Sequence, residues 1–337
     1  MDGLECSEIA YSYVMNQSDI FRLDSFYFLK EFIRGENILN QQPTIRLKNV
    51  SGASILSFGA YSLNNFVEYL DSGVPFIRCV DMKDGLIDTN TLTHISEAAH
   101  KLLYKSEVFP ETILVSMSGS IGKVALASPD WEYPINSNQD IAKIRLGENL
   151  NPYYVYTFFQ TKYGQNFMRR EARGSVQQHV FLSQIEQIAV PLFSTKFYER
   201  IEQLNRTAFS FVEQSRRLFT DTEDILLSEL NFNLDKMSTE SISEKSFSES
   251  FAASGRLDAE YYLPKYDDLF ALLDRLPTKR LGEIVDIRKS IEPGSEYYGD
   301  EGVPFIRVSD VSKTGIDAPS IKIPLRIYHE TKHNVLQ

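Results

Sequence analysis

Cysteine is scarce in this chain, and long apolar runs are absent. Only Cys6 and Cys79 are present, and their spacing matches no zinc site. Two distant cysteines argue against a disulfide framework and favour a reducing, cytoplasmic environment. No stretch of about 18 apolar residues occurs, and Met1–Glu5 lacks the basic start of a signal peptide. We therefore expect no membrane span and no secretion.

Positive charge is also in short supply. The chain has 35 Lys and Arg against 46 Asp and Glu, which gives a net charge of −11. This balance argues against coating nucleic acid by bulk electrostatics, but it leaves open binding through a local basic face or beside a basic partner. The five histidines have no metal-ligand spacing, so we expect no metal site.

The chain instead contains a long internal repeat. Residues 74–88 and 303–317 match at 8 of 15 positions, including VPFIR in both, at an offset of 229. Two further segments recur at an offset of 234: Arg22–Leu29 as Arg256–Leu263, and Thr44–Leu47 as Thr278–Leu281. So long a period indicates duplication of a whole unit rather than a solenoid. We expect a complete domain followed by a second copy that is cut off.

Residues 44–193 are expected to form an α/β (α+β) domain. Short β-rich runs alternate with turns rich in Gly, Pro, Asn and Asp. The predicted strands are Val74–Val80, Thr112–Met117, Lys123–Ala127, Asp140–Leu146 and Gln187–Leu192. Asn151 and Pro152 suit the N-cap and the first position of a helix, which predicts one aromatic helix over Tyr153–Arg173.

A long spacer helix is predicted after this domain. From Phe197 to about Leu230, apolar residues recur at alternating four- and three-residue spacing, without Gly or Pro. Some 35 helical residues would extend about 50 Å and form a coiled-coil stripe. The expected pairing residues are Phe197, Ile201, Leu204, Phe211, Leu218 and Ile225. Such a stripe needs a helical partner from this chain or another.

The repeat and the composition together suggest five segments. Residues 237–254 contain seven serines and few strong structure formers, as expected of a linker. The expected division is an N-terminal segment equivalent to the inter-unit linker at 1–43, a first domain at 44–193, the spacer helix at 194–236, the linker and start of the second unit at 237–277, and a truncated second domain at 278–337.

Several motifs, taken in order, resemble one protein family. They are VPFIR with Asp81, then Ile113–Lys123 (ILVSMSGSIGK), Ile135–Gln139 (INSNQ), Gly174–Gln178 (GSVQQ) and Ile188–Pro191 (IAVP). This order resembles the target-recognition domain of type I restriction–modification specificity (S) subunits. In that family, two recognition domains alternate with two long helices that pack antiparallel as a spacer. The chain departs from this pattern because its second recognition domain is incomplete.

The resemblance implies a non-catalytic subunit that binds a bipartite double-stranded DNA target. It implies modification (methyltransferase) and restriction subunits as partners, which this chain would position. No cofactor is implied for this chain, since S-adenosylmethionine, ATP and Mg²⁺ would be bound by the partner subunits. The incomplete second domain means either a truncated gene or a half-subunit that completes itself by pairing through the spacer helix.

The candidate DNA-contacting residues centre on the end of the aromatic helix, where the local charge is +3. Arg and Gln can read guanine and adenine in the major groove, while Lys and Ser commonly bind phosphate. The candidates are Lys123, Asn138, Gln139, Lys162, Arg169, Arg170, Arg173, Ser175, Gln177 and Gln178. The competing interpretation is a solvated helix C-terminus, where cations complement the helix dipole.

Two motifs favour catalysis only weakly. Asn151–Tyr154 (NPYY) is similar to the NPP[YF] loop of amino-methyltransferases, but no glycine-rich cofactor loop follows an early strand. Ser118–Lys123 ends like a phosphate-binding loop, yet Met117 and Val124 replace its required Gly and Ser/Thr. The alternative function is the recognition portion of a site-specific adenine methyltransferase or nuclease–methyltransferase. A pure coiled-coil protein would not explain a repeated globular unit.

Each repeated segment also carries an Arg shortly before an Asp. The pairs are Arg22 with Asp24, Arg256 with Asp258, Arg78 with Asp81, and Arg307 with Asp310. We interpret them first as internal ion pairs with a structural role common to both units.

Overall fold

In a computed structural model, the chain divides into two compact units, Met1–Phe219 and Thr220–Gln337. The structure describes residues 7–16, 22–57, 67–83, 85–147, 149–174, 178–232, 237–287, 292–312, 315–316 and 318–330. Within these ranges, none of the helices has both the length and the apolar character needed to cross a bilayer.

The helices and strands that begin in the first unit follow one another in a mixed order, and the last of them, α7, continues past Phe219. In sequence they are α1 (Tyr11–Asn16), α2 (Lys30–Leu39), β1 (Thr44–Arg46), β2 (Ser54–Leu56), β3 (Val74–Ile77), β4 (Thr93–Ile95), α3 (Glu97–Leu102), β5 (Glu107–Val108), β6 (Ile113–Ser116), β7 (Val124–Leu126), β8 (Ile135–Ser137), β9 (Ile141–Arg145), α4 (Pro152–Gln160), α5 (Lys162–Glu171), α6 (Leu182–Ile185), β10 (Ala189–Pro191) and α7 (Thr195–Glu229).

Three sheets organise this unit. β1 pairs antiparallel with β10, joining the two ends of the globular segment. A four-stranded antiparallel sheet has the order β2-β9-β6-β7, and a second has the order β4-β3-β8-β5, in which β3 and β8 are parallel. Every residue of β6 is buried. Ile113 and Val115 pack in one core cluster and Leu114 in another, so both faces of this strand are covered.

The strand predicted over Val74–Val80 is shorter in the structure. β3 ends at Ile77, and Cys79–Asp81 form a 3-10 turn. The Asp81 carboxylate accepts a hydrogen bond from the Arg78 main-chain N at 2.8 Å, which turns the chain away from the sheet. A strong side-chain-to-backbone bond of this kind competes with strand pairing.

The predicted helix start at Asn151 is confirmed, but a single helix up to Arg173 is wrong. Asn151 Oδ1 accepts from the Tyr154 main-chain N at 3.1 Å, with Pro152 in the first turn. The chain leaves the helix at Thr161, whose ψ is 161° and whose hydroxyl caps the second helix, α5. A Cβ at Gly164 would lie 2.6 Å from the Phe159 Cα, so this break brings the two helices too close for any side chain there.

The predicted long helix is confirmed as α7, which has 35 residues. Its first half packs on the globular part of the first unit through the partly buried side chains of Tyr198, Ile201 and Phe209. Polar contacts accompany this packing, including an Asn205 Nδ2 bond to Thr157 Oγ1 at 2.9 Å. The start of the helix is therefore fixed to its own domain.

The second unit contains shorter elements. They are α8 (Phe251–Ser254), α9 (Pro264–Leu273), β11 (Val303–Pro304), β12 (Val311–Ser312), β13 (Gly315–Ile316), β14 (Lys322–Ile323) and α10 (Leu325–Glu330). β11 pairs antiparallel with β14, and β12 pairs antiparallel with β13. Among the described residues of this unit, Ile323 is the only buried hydrophobic side chain. The described strands therefore have little core behind them.

The repeated Arg and Asp residues make the same local contacts in both units. Arg22 pairs with Asp24 at 2.8 Å and lies 4.6 Å from the Tyr27 ring centroid. Arg256 pairs with Asp258 and lies 4.3 Å from the Tyr261 centroid. The interpretation of these residues as internal ion pairs is confirmed.

Candidate nucleic-acid interface

The turn Ser118-Gly119-Ser120 adjoins His179, which pairs with Arg173 on the other side of residues 174–178. Arg173 and His179 exchange main-chain hydrogen bonds at 2.9 and 2.7 Å and so close the base of the loop. Beside them, the Val180 N donates to Met117 O at 2.9 Å, and Ser118 forms a β-bridge with His179. Residues 117–118 and 179–180, which are far apart in sequence, are therefore held side by side.

Of the candidates in this loop, Gln178 is exposed and Arg173 is half-buried. The Arg173 Nε atom is buried and has no hydrogen-bond partner within the described ranges. Ser175 and Gln177 lie outside the described residues.

A cleft opens next to the Ser118–Gly119 turn, at the ends of β3, β6 and β8. Its lining comes from three connections: Tyr69 with Arg78–Val80, then Ser118 and Gly119, and Asn138 with Asp140. Asn138 is half-buried, and its main-chain N donates to Ile77 O at 2.9 Å. Asn138 therefore lines the same cleft as Ser118 and Gly119, and Gln139 follows it in the chain.

Two other residues of this region show how it is built. The Cys79 thiol donates to Asn138 Oδ1 at 3.8 Å, and burial raises the pKa of this thiol. Lys123 is half-buried at the end of the Gly/Ser turn, where its main-chain O accepts from the Ser116 N at 2.8 Å. The turn is tight and adjoins β7, so the strand–turn–strand interpretation of this motif is confirmed.

The two cations at the exposed side of α5 are oriented by neighbouring aromatic rings. Lys162 is exposed and lies 5.2 Å from the Tyr163 centroid. Arg169 pairs with Glu31 of α2 at 3.3 Å, and its guanidinium lies 5.6 Å from the Phe32 centroid. Both side chains reach solvent, so both are available to a ligand that approaches α5.

Arg170 requires a correction, because the structure places it inside the domain. Only 8% of its side chain is exposed, and it donates to Glu36 Oε2 at 3.0 Å and to Tyr27 O at 2.9 Å. The guanidinium also lies 4.1 Å from the Tyr27 ring centroid. The pKa of Tyr27 is raised mainly by burial and to a smaller extent by the nearby Glu171 carboxylate. Arg170 therefore links α5 to the N-terminal segment and is removed from the DNA-contacting candidates.

The sequence was compared with known proteins. Residues 28–196 match the family described as the type I restriction modification DNA specificity domain. The chain belongs to this family. The matched segment contains the cleft, the Gly/Ser turn, loop 174–178 and α5.

Two relatives of this specificity-domain family match at 23% identity. The specificity subunit of the type I restriction enzyme EcoBI from Escherichia coli aligns over 218 residues, 63% of this chain and 42% of the relative. The specificity subunit of the type I restriction enzyme MjaIX from Methanocaldococcus jannaschii aligns over 277 residues, 79% of this chain and 58% of the relative. The chain spans about half the length of these relatives.

A solved structure is also similar. The crystal structure of the type I restriction–modification S subunit from M. genitalium covers 82% of this chain and 62% of its own, at 17% identity and a TM-score of 0.39.

Sequence reasoning missed two features of the specificity domain. The sequence predicts an internal ion pair for Arg78, yet this residue also lines the cleft with 35% of its side chain exposed. The signal that could have found it is its position inside the repeated VPFIR segment. No comparable signal marked the second feature, Lys143, which is 3% exposed in β9.

Lys143 lies in the domain interior without a carboxylate partner among the described residues. Its Nζ donates to Ser137 Oγ at 3.2 Å and approaches Ser106 Oγ at 3.5 Å. Burial lowers the pKa of Lys143 to about 7, against a smaller opposing effect of Cys79. No group of three or more His, Cys, Asp or Glu that could hold a metal occurs in the part of the chain that the structure describes.

Proposed function

We propose that the chain recognises a specific double-stranded DNA sequence, as all or part of the specificity subunit of a type I restriction–modification system. The observation that carries this proposal is the family match over residues 28–196. The names of the two relatives, both specificity subunits, support the same function.

The proposed DNA-contacting face combines the cleft, the Gly/Ser turn and loop 174–178. Asn138, Gln139 and Gln178 would face base edges, and Lys123 would contact a phosphate, as their side-chain chemistry allows. The exposed Lys162 and Arg169 would contact the backbone at the margin of this face. Ser175 and Gln177 stay in the proposal on sequence grounds alone.

We further propose that the target is bipartite. The repeated segments, with the same Arg–Asp contacts in each unit, support two recognition units built on one plan. The first recognition domain would occupy 44–193 and the second would begin near 278, with a spacer helix at 194–236 and linkers at 1–43 and 237–277. A rigid helix between two recognition units would set the distance between half-sites.

The proposed subunit is not an enzyme. Modification subunits would transfer the methyl group from S-adenosylmethionine, and restriction subunits would use ATP and Mg²⁺. The specificity chain would position both on DNA without binding a cofactor itself.

Self-pairing through α7 is a separate part of the proposal. Leu204, Phe211, Leu218 and Ile225 follow one another at seven-residue intervals and are 49%, 64%, 57% and 65% exposed. Two members of the expected face contribute less: Ile201 packs on the core of its own domain, and Phe197 contacts the Tyr154 ring. The row from Leu204 to Ile225 is therefore the proposed pairing surface.

The direct test is to express the chain with the modification subunits of its host and to map methylated bases across the genome. One interrupted recognition sequence is expected, and it should disappear when the chain is omitted. Methylation that is absent, or that is unchanged without the chain, would refute the proposal.

A second experiment tests the alternative function, the recognition portion of a methyltransferase. The purified chain alone is titrated with S-adenosylmethionine in a calorimeter, and no saturable heat is expected. A saturable signal would favour a methyltransferase.

A further inference from the structure

One side-chain arrangement occurs in both units of the chain. In the first unit the Tyr69 and Phe76 rings are tilted, with centroids 5.9 Å apart, and in the second unit the Tyr298 and Phe305 centroids are also 5.9 Å apart. Two residues after each Phe comes the Arg of an ion pair, with its Asp three residues later. The members are Tyr69, Phe76, Arg78 and Asp81 in the first unit, and Tyr298, Phe305, Arg307 and Asp310 in the second, all at an offset of 229.

The Asp in each unit orients the guanidinium without using all of its donors. Arg78 donates through Nε and Nη2 to the two Asp81 carboxylate oxygens at 3.1 and 3.0 Å. Its Nη1 atom makes no hydrogen bond to any residue that the structure describes. The side chain is 35% exposed, compared with 12% for Asp81. The unused Nη1 donors therefore belong to an oriented cation that solvent can reach.

The second unit holds its Arg in the same way. Arg307 donates through Nε and Nη2 to Asp310 at 3.5 and 3.2 Å, and its Nη2 also lies 3.5 Å from Ser320 Oγ. The side chain is 33% exposed. The main-chain N of each Arg also donates to its Asp at 2.8 Å. In both units, the same Asp therefore holds the Arg side chain, which we call the fork, and the main chain of the turn that follows it.

The residues between each Arg and Asp differ. Cys79 and Val80 occupy the turn of the first unit, and Val308 and Ser309 occupy that of the second. Val80 is 62% exposed and Val308 is 92% exposed. A contact that reads bases should change between units that read different half-sites, whereas a contact to the DNA backbone can stay the same. The Arg, Asp and Tyr are the same in both units while the turn residues between them differ, as expected of a contact to the DNA backbone.

We propose that Arg78 and Arg307 each bind a phosphate of the DNA backbone, one in each half-site, and that this contact is independent of sequence. The inference rests on the proposed function, since it needs DNA at the cleft face. Arginine is a frequent phosphate ligand, and Tyr69 and Tyr298 offer hydroxyls of a type that also contacts phosphate. The Asp carboxylates fix the geometry, so the contact registers the DNA on the domain.

The test measures binding of the assembled modification complex to its methylated target sequence and to an unrelated duplex, over a series of KCl concentrations. Each phosphate contact contributes about 0.9 to the slope of log K against log [salt]. Arg78→Met and Arg307→Met should each lower the slope by about this amount on both duplexes and leave the methylated sequence unchanged. Arg78→Lys should retain the slope.

Arg200→Met is the matched control, because it removes the same charge from an exposed arginine of α7 that bonds only Gln203 within the described chain. Its slope should equal that of the wild type. Thermal unfolding of each variant checks folding. Should Arg78→Met fail to fold, wild-type protein and the neutral variant Arg78→Gln are compared on duplexes with single methylphosphonate substitutions, and one position should weaken binding of the wild type only.

Each outcome has a distinct meaning. Two results would show that the Arg–Asp pair has only a structural role. One is an unchanged salt-dependence slope in folded Arg78→Met and Arg307→Met. The other is a series of methylphosphonate duplexes in which no position affects the wild type and the residue-78 variant differently. Weaker binding to the target alone, or a changed methylation sequence, would make the fork a base contact. All of these results overturn the inference while leaving the proposed function intact. A wild-type complex without sequence preference would remove the proposed function itself and this inference with it.

Discussion

Lys143 is a single residue with a large effect expected on stability. A lysine ordinarily has a pKa of about 10.4, and burial lowers the pKa of Lys143 to about 7. Between these values the unfolded chain binds a proton that the folded chain does not. The free energy of unfolding should therefore rise with pH through this window, by about 1.4 kcal/mol per pH unit.

Replacing Lys143 with Met should remove that dependence. Met keeps the length of the side chain without the ammonium, so the variant should be more stable than the wild type at pH 7 and should lose the rise toward pH 10. Urea denaturation at half-unit pH intervals measures both effects. The exposed Lys162→Met variant is the control and should retain the wild-type slope. If the stability of Lys143→Met rose with pH as steeply as that of the wild type, the lowered pKa of Lys143 would be contradicted.

Arg169 and Arg170 are neighbours in α5 with different expected roles. Removing Arg170 takes the cationic partner from the Glu36 carboxylate in a largely buried network, although the Tyr13 hydroxyl still donates to that carboxylate. Breaking a buried ion pair in this way typically costs about 3–5 kcal/mol. Removing Arg169 breaks a solvent-exposed pair with Glu31, which is worth about 0.2–1 kcal/mol. Arg170→Ala should therefore destabilise the domain severalfold more than Arg169→Ala in urea denaturation. Equal losses would show that Arg170 is not an internal anchor.

At the scale of secondary-structure elements, α7 carries apolar contacts of two kinds. Tyr198, Ile201 and Phe209 are partly buried on the domain, while the heptad row from Leu204 to Ile225 faces solvent. Each large apolar side chain gains roughly 1.5–3 kcal/mol on full burial. A row of four such residues is thus a strong driving force for helix pairing.

The double variant Leu204→Glu, Leu218→Glu should abolish pairing, because it places two charges in the apolar row. Analytical ultracentrifugation of the full chain should report dimers for the wild type and monomers for the variant. Gln203→Glu, Gln214→Glu adds the same charge at exposed polar positions and should leave dimers intact. A monomeric wild-type chain at micromolar concentration would contradict self-pairing.

At the scale of the whole molecule, a net charge of −11 disfavours DNA binding unless the contact is local and partners assist it. The proposed face meets this condition with few cations and several amides. Base and phosphate contacts on it should then differ in their effects on specificity.

Gln178→Ala should weaken binding to the methylated target by about 1–3 kcal/mol while sparing unrelated DNA, as expected for a lost base contact. Lys123→Met should weaken binding to both duplexes equally and reduce the salt dependence. Fluorescence anisotropy with the assembled complex separates the two patterns. If both variants bind and methylate like the wild type, the DNA contacts lie elsewhere.

Local signals predicted the elements but not all of their limits. The cap at Asn151 and the heptads of α7 depend on residues close in sequence, so their positions could be predicted. The break at Thr161 could not be predicted, because it brings Gly164 against the Phe159 backbone, a close approach that no helical periodicity reveals.

The sequence by itself determined the family resemblance, the repeat and the long helix, because each is written in the order and spacing of residue types. Only the tertiary structure decided which charged side chains are exposed to solvent. Arg169 and Arg170 are adjacent, but successive side chains of a helix point about 100° apart, so one reaches solvent and the other reaches Glu36. The exposure of Lys143 and Arg78 is likewise set by the strands and turns packed around them, since burial is a property of the folded chain.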